Sequence, residues 1–420
     1  MGVAYLVSRA LENINRKKEV DIADRRNTIY AALLHDVGHG PLGHVLDKFY
    51  DRLQKGNEHE KFTKEFIDDG LIDLREVLEE VNMNFSEVKD RTVFKSQNSE
   101  ELKKYGDKLY LAWLITDYAI DLDRLDFLMR DLLMTSYKCK SILPVKLQKE
   151  LMKPEILCRQ DIFNKIIKDF IDRLSVGTVD ELDDSCKDKF PDDARILYIN
   201  NRGEYNLKEL LDYLLNLYTE MYTNVYYNDR ISGAEAMMAK ALHIAYDAGD
   251  IDRSHLYTFT DSELMAYLEN LENDLIREIV YSVKHRRIFK PIIQFDLNNM
   301  PENISPTKVE SKIEERFDLD QNDYKSMVIV NIPRKKELKN LFIKEGDKII
   351  SYPGIQEFKT KLSNNIKGKI FIHPSIFRST EEKHNLLDLL AEIGIFAEFT
   401  PLEVTEEHHK TSLNHWLKCD

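Results

Sequence analysis

The stretch A-A-L-L-H-D-V-G-H-G-P-L-G-H-V-L-D, Ala31 to Asp47, decides how this chain is read. An apolar helical run containing Ile29, Ala32 and Leu33 ends in the adjacent pair His35-Asp36. Glycines and a proline then break the helix, and His39 and His44 follow within nine residues of His35. Imidazole nitrogen and carboxylate oxygen are ligands that suit first-row divalent metals. Consecutive residues of a helix point about 100° apart, so a His-Asp doublet shares an ion only near a helix end, with other ligands completing the shell. The plain alternative is a capped helix C-terminus with a histidine at its negative end. Three histidines and two acids in so short a segment point instead to a metal-dependent site.

A second chemically dense segment is D-Y-A-I-D-L-D-R-L-D-F-L-M-R-D, Asp117 to Asp131. Leu114, Ile115, Ala119, Leu122, Leu125, Leu128 and Met129 fall at helical spacing, which predicts a helix with acids set into it. Asp123 and Phe127 are i, i+4, while Arg124, Phe127 and Asp131 are i, i+3, i+7. One face therefore presents a carboxylate, a cation, a ring and a second carboxylate. Asp126 and Arg130, also i, i+4, are expected to form an ordinary intrahelical ion pair.

Together the two segments resemble the HD-domain phosphohydrolases, whose defining motif is a His, a His-Asp doublet and a distant Asp around one or two metals. Positions 35 to 44 match every fixed place of H-D-x-G-H-G-P-x-x-H, the form carried by the branch that hydrolyses deoxynucleoside triphosphates. The second segment is similar to that branch's D-x-D-R-x-D-Y-x-x-R-D. The resemblance implies metal ligation by His35, Asp36 and Asp123, with a divalent ion (manganese, iron, cobalt, zinc or magnesium) as cofactor. It places Arg124 at the triphosphate-contacting position and Asp131 where a sugar 3′-hydroxyl is bound. Phe127 stands in place of the usual tyrosine, so its ring can pack on a sugar but has no hydroxyl. His39, His44, Asp47 and His59 fall in the catalytic set, with Asp47 orienting His59 as an acid at the scissile phosphate. An imidazole with a carboxylate partner is a reasonable general acid near neutral pH.

A third segment, Y-T-E-M-Y-T-N-V-Y-Y-N-D-R-I from Tyr218 to Ile231, is similar to the helix that closes the substrate pocket in related enzymes. In the triphosphohydrolases that helix carries an arginine, a histidine, a tyrosine and a lysine. An ungapped match puts Thr219, Thr223, Tyr227 and Arg230 in those places. Tyr227 is then expected to crowd the sugar 2′ position and Arg230 to touch phosphate; the alternative is that these aromatics simply pack the helix. The family's first metal histidine sits in H-S-x-G-V-x-Y-L, whereas this chain opens M-G-V-A-Y-L. That histidine is expected to be encoded upstream, three residues before Gly2; the alternative is that a metal ligand has been lost.

Lys and Arg number 60 against 74 Asp and Glu, a formal charge of −14, so nucleic acid is not expected as the main partner. No apolar run of eighteen residues and no signal-peptide pattern is present, which predicts no membrane partner and a cytoplasmic protein. Cys139, Cys158, Cys186 and Cys419 are scattered without metal-binding spacing and read as free thiols. The expected fold is mainly α: an all-helical HD core with a smaller C-terminal α/β or α+β appendage. Residues 1–170 are expected to form the metal-binding core. Residues 171–290 are expected to form a helical substrate-closing and oligomerisation region, with a hairpin over Ile196–Tyr205 turning at Asn201-Arg202-Gly203. Residues 291–420 are expected to form the α+β domain, with strands near Ile292–Phe295, Met327–Ile332 and Lys369–Ile372 and helices at Thr307–Phe317 and Glu381–Ile393. Lys89–Lys108 reads as a surface excursion.

The expected activity is metal-dependent attack of water on the α-phosphate of a nucleotide, giving nucleoside and tripolyphosphate, by a homo-oligomer (dimer or tetramer). The alternatives are another nucleotidase or phosphodiesterase of the superfamily, and a non-catalytic nucleotide-binding HD protein.

Overall fold

The computed structural model describes residues 2–54, 58–69, 74–94, 99–135, 137, 143–151, 159–301, 304–334, 338–373, 376 and 379–400. Its first helix, Gly2–Lys17, buries Val3, Leu6, Val7, Ala10, Leu11 and Ile14, one apolar stripe at three- and four-residue steps. The helix continues past Leu11 because Asn13, buried in its last turns, is satisfied: its amide donates to the Ile171 and Leu174 carbonyls at 2.8 and 3.1 Å. The next helix, Ile22–Leu34, starts at Asp21, whose side chain accepts the Ala23 and Asp24 amides.

Leu109–Ile115 is apolar on every side and accordingly buried throughout, with Trp113 at its centre. The expected helix over Asp117–Asp131 begins later than its pattern suggests. Asp117 takes a φ of 68°, which breaks the helix, and Asp121 then caps the helix Leu122–Met134 by accepting the Arg124 amide at 2.8 Å. Its Asp126–Arg130 pair forms at 2.7 Å, as the spacing predicts.

The chain divides into two compact units. The first comprises residues 1–288 and 333–366, the second 289–332 and 367–420. Among the described residues the first unit is mostly helical and holds one four-stranded sheet, built from β1 (Leu174–Thr178), β2 (Arg195–Ile199), β5 (Phe342–Glu345) and β6 (Lys348–Ser351) in the order β1-β2-β5-β6. The expected hairpin over Ile196–Tyr205 is not formed. β2 pairs backward with β1, Leu174 opposite Ile199. Asn200 and Asn201 instead give their carbonyls to Arg173 at 3.3 and 3.1 Å, and Gly203 lies against the same guanidinium, where a Cβ would collide. Lys89–Lys108 is likewise less superficial than expected, because Arg91 is buried and paired with Asp24 and Glu87.

The second unit contains β3 (Pro291–Asp296), the helix Pro306–Arg316, β4 (Val328–Asn331), β7 (Lys367–Ile372), the helix Thr380–Glu392 and β8 (Ala397–Phe399). The strands lie in the order β4-β7-β3-β8, every pair antiparallel. This β-α-β-β-α-β sequence with split pairing is the ferredoxin-like arrangement. The appendage is therefore α+β, and its strands and helices fall close to the expected segments. The expected single boundary at 291 runs differently: after β4 the chain supplies residues 333–366 to the first unit and returns as β7.

That returning segment is tied to the turn before Leu122. Ala119 N–H donates to Asn340 O at 2.9 Å. The buried Tyr118 hydroxyl accepts the Phe342 amide at 2.8 Å and faces the Leu197 carbonyl at 3.2 Å. Tyr118→Phe leaves these buried backbone groups unpaired, at a cost of about 1–3 kcal/mol. A lowered thermal midpoint relative to wild type checks this, and an unchanged one refutes it.

Candidate metal centre

Both halves of the motif reach the same place. The helix Ile22–Leu34 ends at His35, and the chain turns through residues 36–43 with Leu42 at φ 59° and Gly43 at φ 52° before the helix His44–Arg52 begins. Leu42 is held in this left-handed conformation in part by its amide, which donates to Asp261 at 2.8 Å. Strain at such a position persists only where the surroundings fix it.

His35 Nε2 lies 3.2 Å from Asp123 Oδ1 and 3.3 Å from Asp36 Oδ2. Its other nitrogen, Nδ1, lies 2.9 Å from the Ala32 carbonyl, which fixes the ring and leaves Nε2 as the outward ligand. Asp36 also reaches His39, Oδ1 to Nε2 at 3.6 Å. His39 and His44 meet edge-on with ring centroids 5.3 Å apart, and His44 Nδ1 lies 3.0 Å from Asp47 Oδ2. Among the described residues, two groups could hold an ion: His35, Asp36 and Asp123, and His39, His44 and Asp47. One imidazole with two carboxylates is a donor set that fits a borderline divalent metal. Burial opposes the charged form of His35, but the hydrogen bond it donates to Asp123 and the charges of Asp36 and Asp123 outweigh it, raising its pKa to about 9.

Helix Leu122–Met134 extends the site. Asp123, Phe127 and Asp131 stand one turn apart along it. Arg124 does not stand free: its guanidinium donates to the Tyr118 carbonyl, lies 3.4 Å from Asp121, and sits over the Tyr218 ring at 5.6 Å. Burial pushes the Asp121 carboxyl up to about 7 against the pull of Arg124.

Helix Leu207–Met221 runs into a π-helical turn, Tyr222–Tyr226, and the chain re-enters a helix at Asp229. The four residues of the ungapped match lie along this stretch. Thr219 and Thr223 turn their hydroxyls onto the helix backbone, donating to the Leu215 and Thr219 carbonyls at 2.9 and 2.8 Å. Tyr227 packs on Tyr222 at 5.9 Å and has Glu235, Arg334 and Asp51 in its electrostatic surroundings. The tyrosine on Asp131 is Tyr226. Arg230 is exposed in the first turn of the helix Asp229–Asp247. The side chain of His59 lies outside the described residues, although its backbone belongs to the helix Glu58–Asp69.

Sequence reasoning missed two cations from the returning segment. Arg334 grips Asp51 with Nε–Oδ1 at 3.0 Å and Nη2–Oδ1 at 2.7 Å, and Lys339 lies 3.7 Å from Asp117. No local pattern marks either one, because the contacts span more than two hundred residues. Tyr218, Tyr222 and Tyr226 could have been found, since they recur at i, i+4, i+8. A cavity of about 760 Å³ bordered by Tyr198, Arg202, Lys344 and Tyr352 shares no lining residue with the metal groups.

Residues 1–126 match the HD domain family, and residues 214–349 match the HD associated region. The chain is 30% identical over 132 residues to the uncharacterized protein YwfO of Bacillus subtilis, covering 31% of this chain and 27% of that protein. It is 24% identical over 301 residues to the uncharacterized protein MJ1154 of Methanocaldococcus jannaschii, covering 71% of this chain and 49% of that protein. The chain thus spans half or less of the length of these curated relatives. In fold it is similar to a crystal structure of a phosphohydrolase from Bacteroides thetaiotaomicron, with a TM-score of 0.55 and 17% identity over 89% of this chain and 85% of that one. Among the described residues, no helix is long and apolar enough to cross a membrane.

An ion entering at His35 displaces the proton that the two carboxylates hold there. Metal binding to the protein at pH 7.5 is therefore expected to release about one proton. Titration calorimetry in buffers of different ionisation enthalpy measures this directly. Asp123→Ala is expected to abolish the binding heat, and a proton count near zero in wild type contradicts the reading of His35.

Proposed function

We propose that this protein is a metal-dependent phosphohydrolase acting on (deoxy)nucleoside triphosphates, with water attacking the α-phosphate to give nucleoside and tripolyphosphate. The observation that carries the reading is the meeting of His35 and Asp36 with Asp123, on a helix that continues through Phe127 and Asp131. One end of that helix face suits a metal-assisted reaction, and the other suits a sugar.

His35, Asp36 and Asp123 would hold the divalent ion, which when bound supplies Lewis acidity at phosphate oxygen and a nucleophile from water at neutral pH. The chain's own groups do the rest. Asp47 fixes the His44 ring, and this imidazole–carboxylate pair, with His39 beside it, is suited to moving a proton at the scissile phosphate. His59 serves as the further proton donor implied by the motif resemblance. Phe127 offers a face for a sugar ring and Asp131 an acceptor for its hydroxyl. Arg124 and Arg230 are the cations assigned to the β- and γ-phosphates, and a dimer or tetramer goes with this reading.

A second reading is favoured by one observation. Arg124 is already engaged by Asp121 and the Tyr118 carbonyl, and a nucleoside monophosphate or a phosphodiester has no need of it.

Chromatography of the products separates the two. With manganese or cobalt, dGTP is expected to yield deoxyguanosine and tripolyphosphate. Release of orthophosphate or pyrophosphate, or turnover of dGMP alone, replaces the first reading by the second. Asp123→Ala is expected to abolish turnover. Arg124→Ala is expected chiefly to weaken triphosphate binding, by about 1.5–3 kcal/mol, the range for a charged hydrogen bond.

A further inference from the structure

Asp131 has no phenol on its own helix, because Phe127 one turn earlier carries a bare ring. A neighbouring segment supplies one. Tyr226 Oη donates to Asp131 Oδ2 at 2.7 Å, and its ring stands edge-on to Phe127, centroids 6.0 Å apart and planes at 70°. The π-helical turn Tyr222–Tyr226 accounts for the placement. A π-turn carries one more residue than an α-turn, so it resets which side chains face a neighbouring helix, and such turns recur at functional sites. Tyr222 buttresses the arrangement, with its ring 5.1 Å from Tyr226 and 4.5 Å from Tyr218. Burial, followed by the hydrogen bond and charge of Asp131, pushes the Tyr226 phenol well above its ordinary pKa, so it remains a donor at working pH. A carboxylate has about four lone-pair sites, so one phenol leaves Asp131 with capacity to accept another hydroxyl.

We propose that Tyr226 is the positioning residue that replaces, from another helix, the hydroxyl missing at Phe127, holding the Asp131 carboxylate where it accepts the 3′-hydroxyl of a nucleotide sugar. This rests on the nucleotide reading above. It makes the sugar subsite a two-segment assembly, with the ring from residue 127 and the phenol from residue 226. Discrimination then falls between nucleotides with and without a 3′-hydroxyl, and the effect sits in binding more than in the chemical step.

The test compares dGTP with 2′,3′-dideoxy-GTP (or the corresponding monophosphates, if those are the substrates) in the full chain with manganese. Tyr226→Phe removes one oxygen and keeps the ring, and a thermal melt matching wild type confirms its fold. It is expected to raise KM for the 3′-hydroxyl substrate about tenfold, the loss of one hydrogen bond to a charged group, with kcat within about twofold. The dideoxy substrate is expected to be unaffected. The double variant Phe127→Tyr with Tyr226→Phe returns the hydroxyl to the other helix and is expected to restore the wild-type KM. Nucleotide turnover with an unchanged KM in Tyr226→Phe, or an equal loss on both substrates, overturns the inference alone. Protein that cleaves p-nitrophenyl phosphate but neither binds nor cleaves any nucleotide overturns the nucleotide reading, and the inference with it.

Discussion

The site depends on one electrostatic problem: Asp36 and Asp123 share the same imidazole, His35, from opposite sides of the sequence. Two carboxylates brought this close repel unless a positive charge stands between them. In the protein by itself a proton on His35 supplies that charge, which is why its pKa rises to about 9 despite burial. A divalent ion answers the same demand more fully. The arrangement is therefore poised for exchange between proton and metal, and the fold has to hold two helix ends together against the repulsion of the acids they carry.

What holds them is remote from the motif. The helix with Asp123 cannot begin until the chain has turned through Asp117, whose positive φ is accommodated between the buried helix Leu109–Ile115 and the returning segment 333–366. Tyr118 locks that turn onto two strands at once, and Asn340 takes the Ala119 amide. The segment that interrupts the ferredoxin-like unit thus supports the candidate metal centre, although none of its described residues belongs to the His-Asp groups. The match of the HD associated region through residue 349 agrees with this division of labour.

The sequence made the ligand chemistry legible because metal sites are built from few residue types at short spacings. His35, Asp36 and Asp123 come together as their pattern implies, and the helical core and α+β appendage follow from periodicities that local physics enforces. The misses share a different cause. The start of helix Leu122–Met134 was set by one left-handed residue, and the absent hairpin by Arg173 taking the carbonyls of the turn. Each is a one-residue event, smaller than the error of any pattern spanning a helix. Arg334 and Lys339 were beyond reach for the opposite reason, since their partners Asp51 and Asp117 are distant along the chain.

Arg124 shows how far a motif can be taken without its surroundings. The resemblance assigns it to phosphate, yet its guanidinium already answers a local need: Asp121 is buried at the helix start and must be neutralised or protonated there. Lys339 likewise faces Asp117 and Arg334 faces Asp51, so these two described cations are each matched to an acid. Apart from what the exposed Arg230 offers, a polyphosphate entering such a site would draw its neutralising charge from ions held at the His-Asp groups, or win a cation away from its carboxylate. The second route costs the chain a buried, unpaired acid, and burying an unpaired charge is among the more expensive changes a folded protein can undergo. On the proposed triphosphate reading, substrate charge and metal loading would therefore be coupled, and the number of phosphates accepted would be set by the bound ions as much as by Arg124.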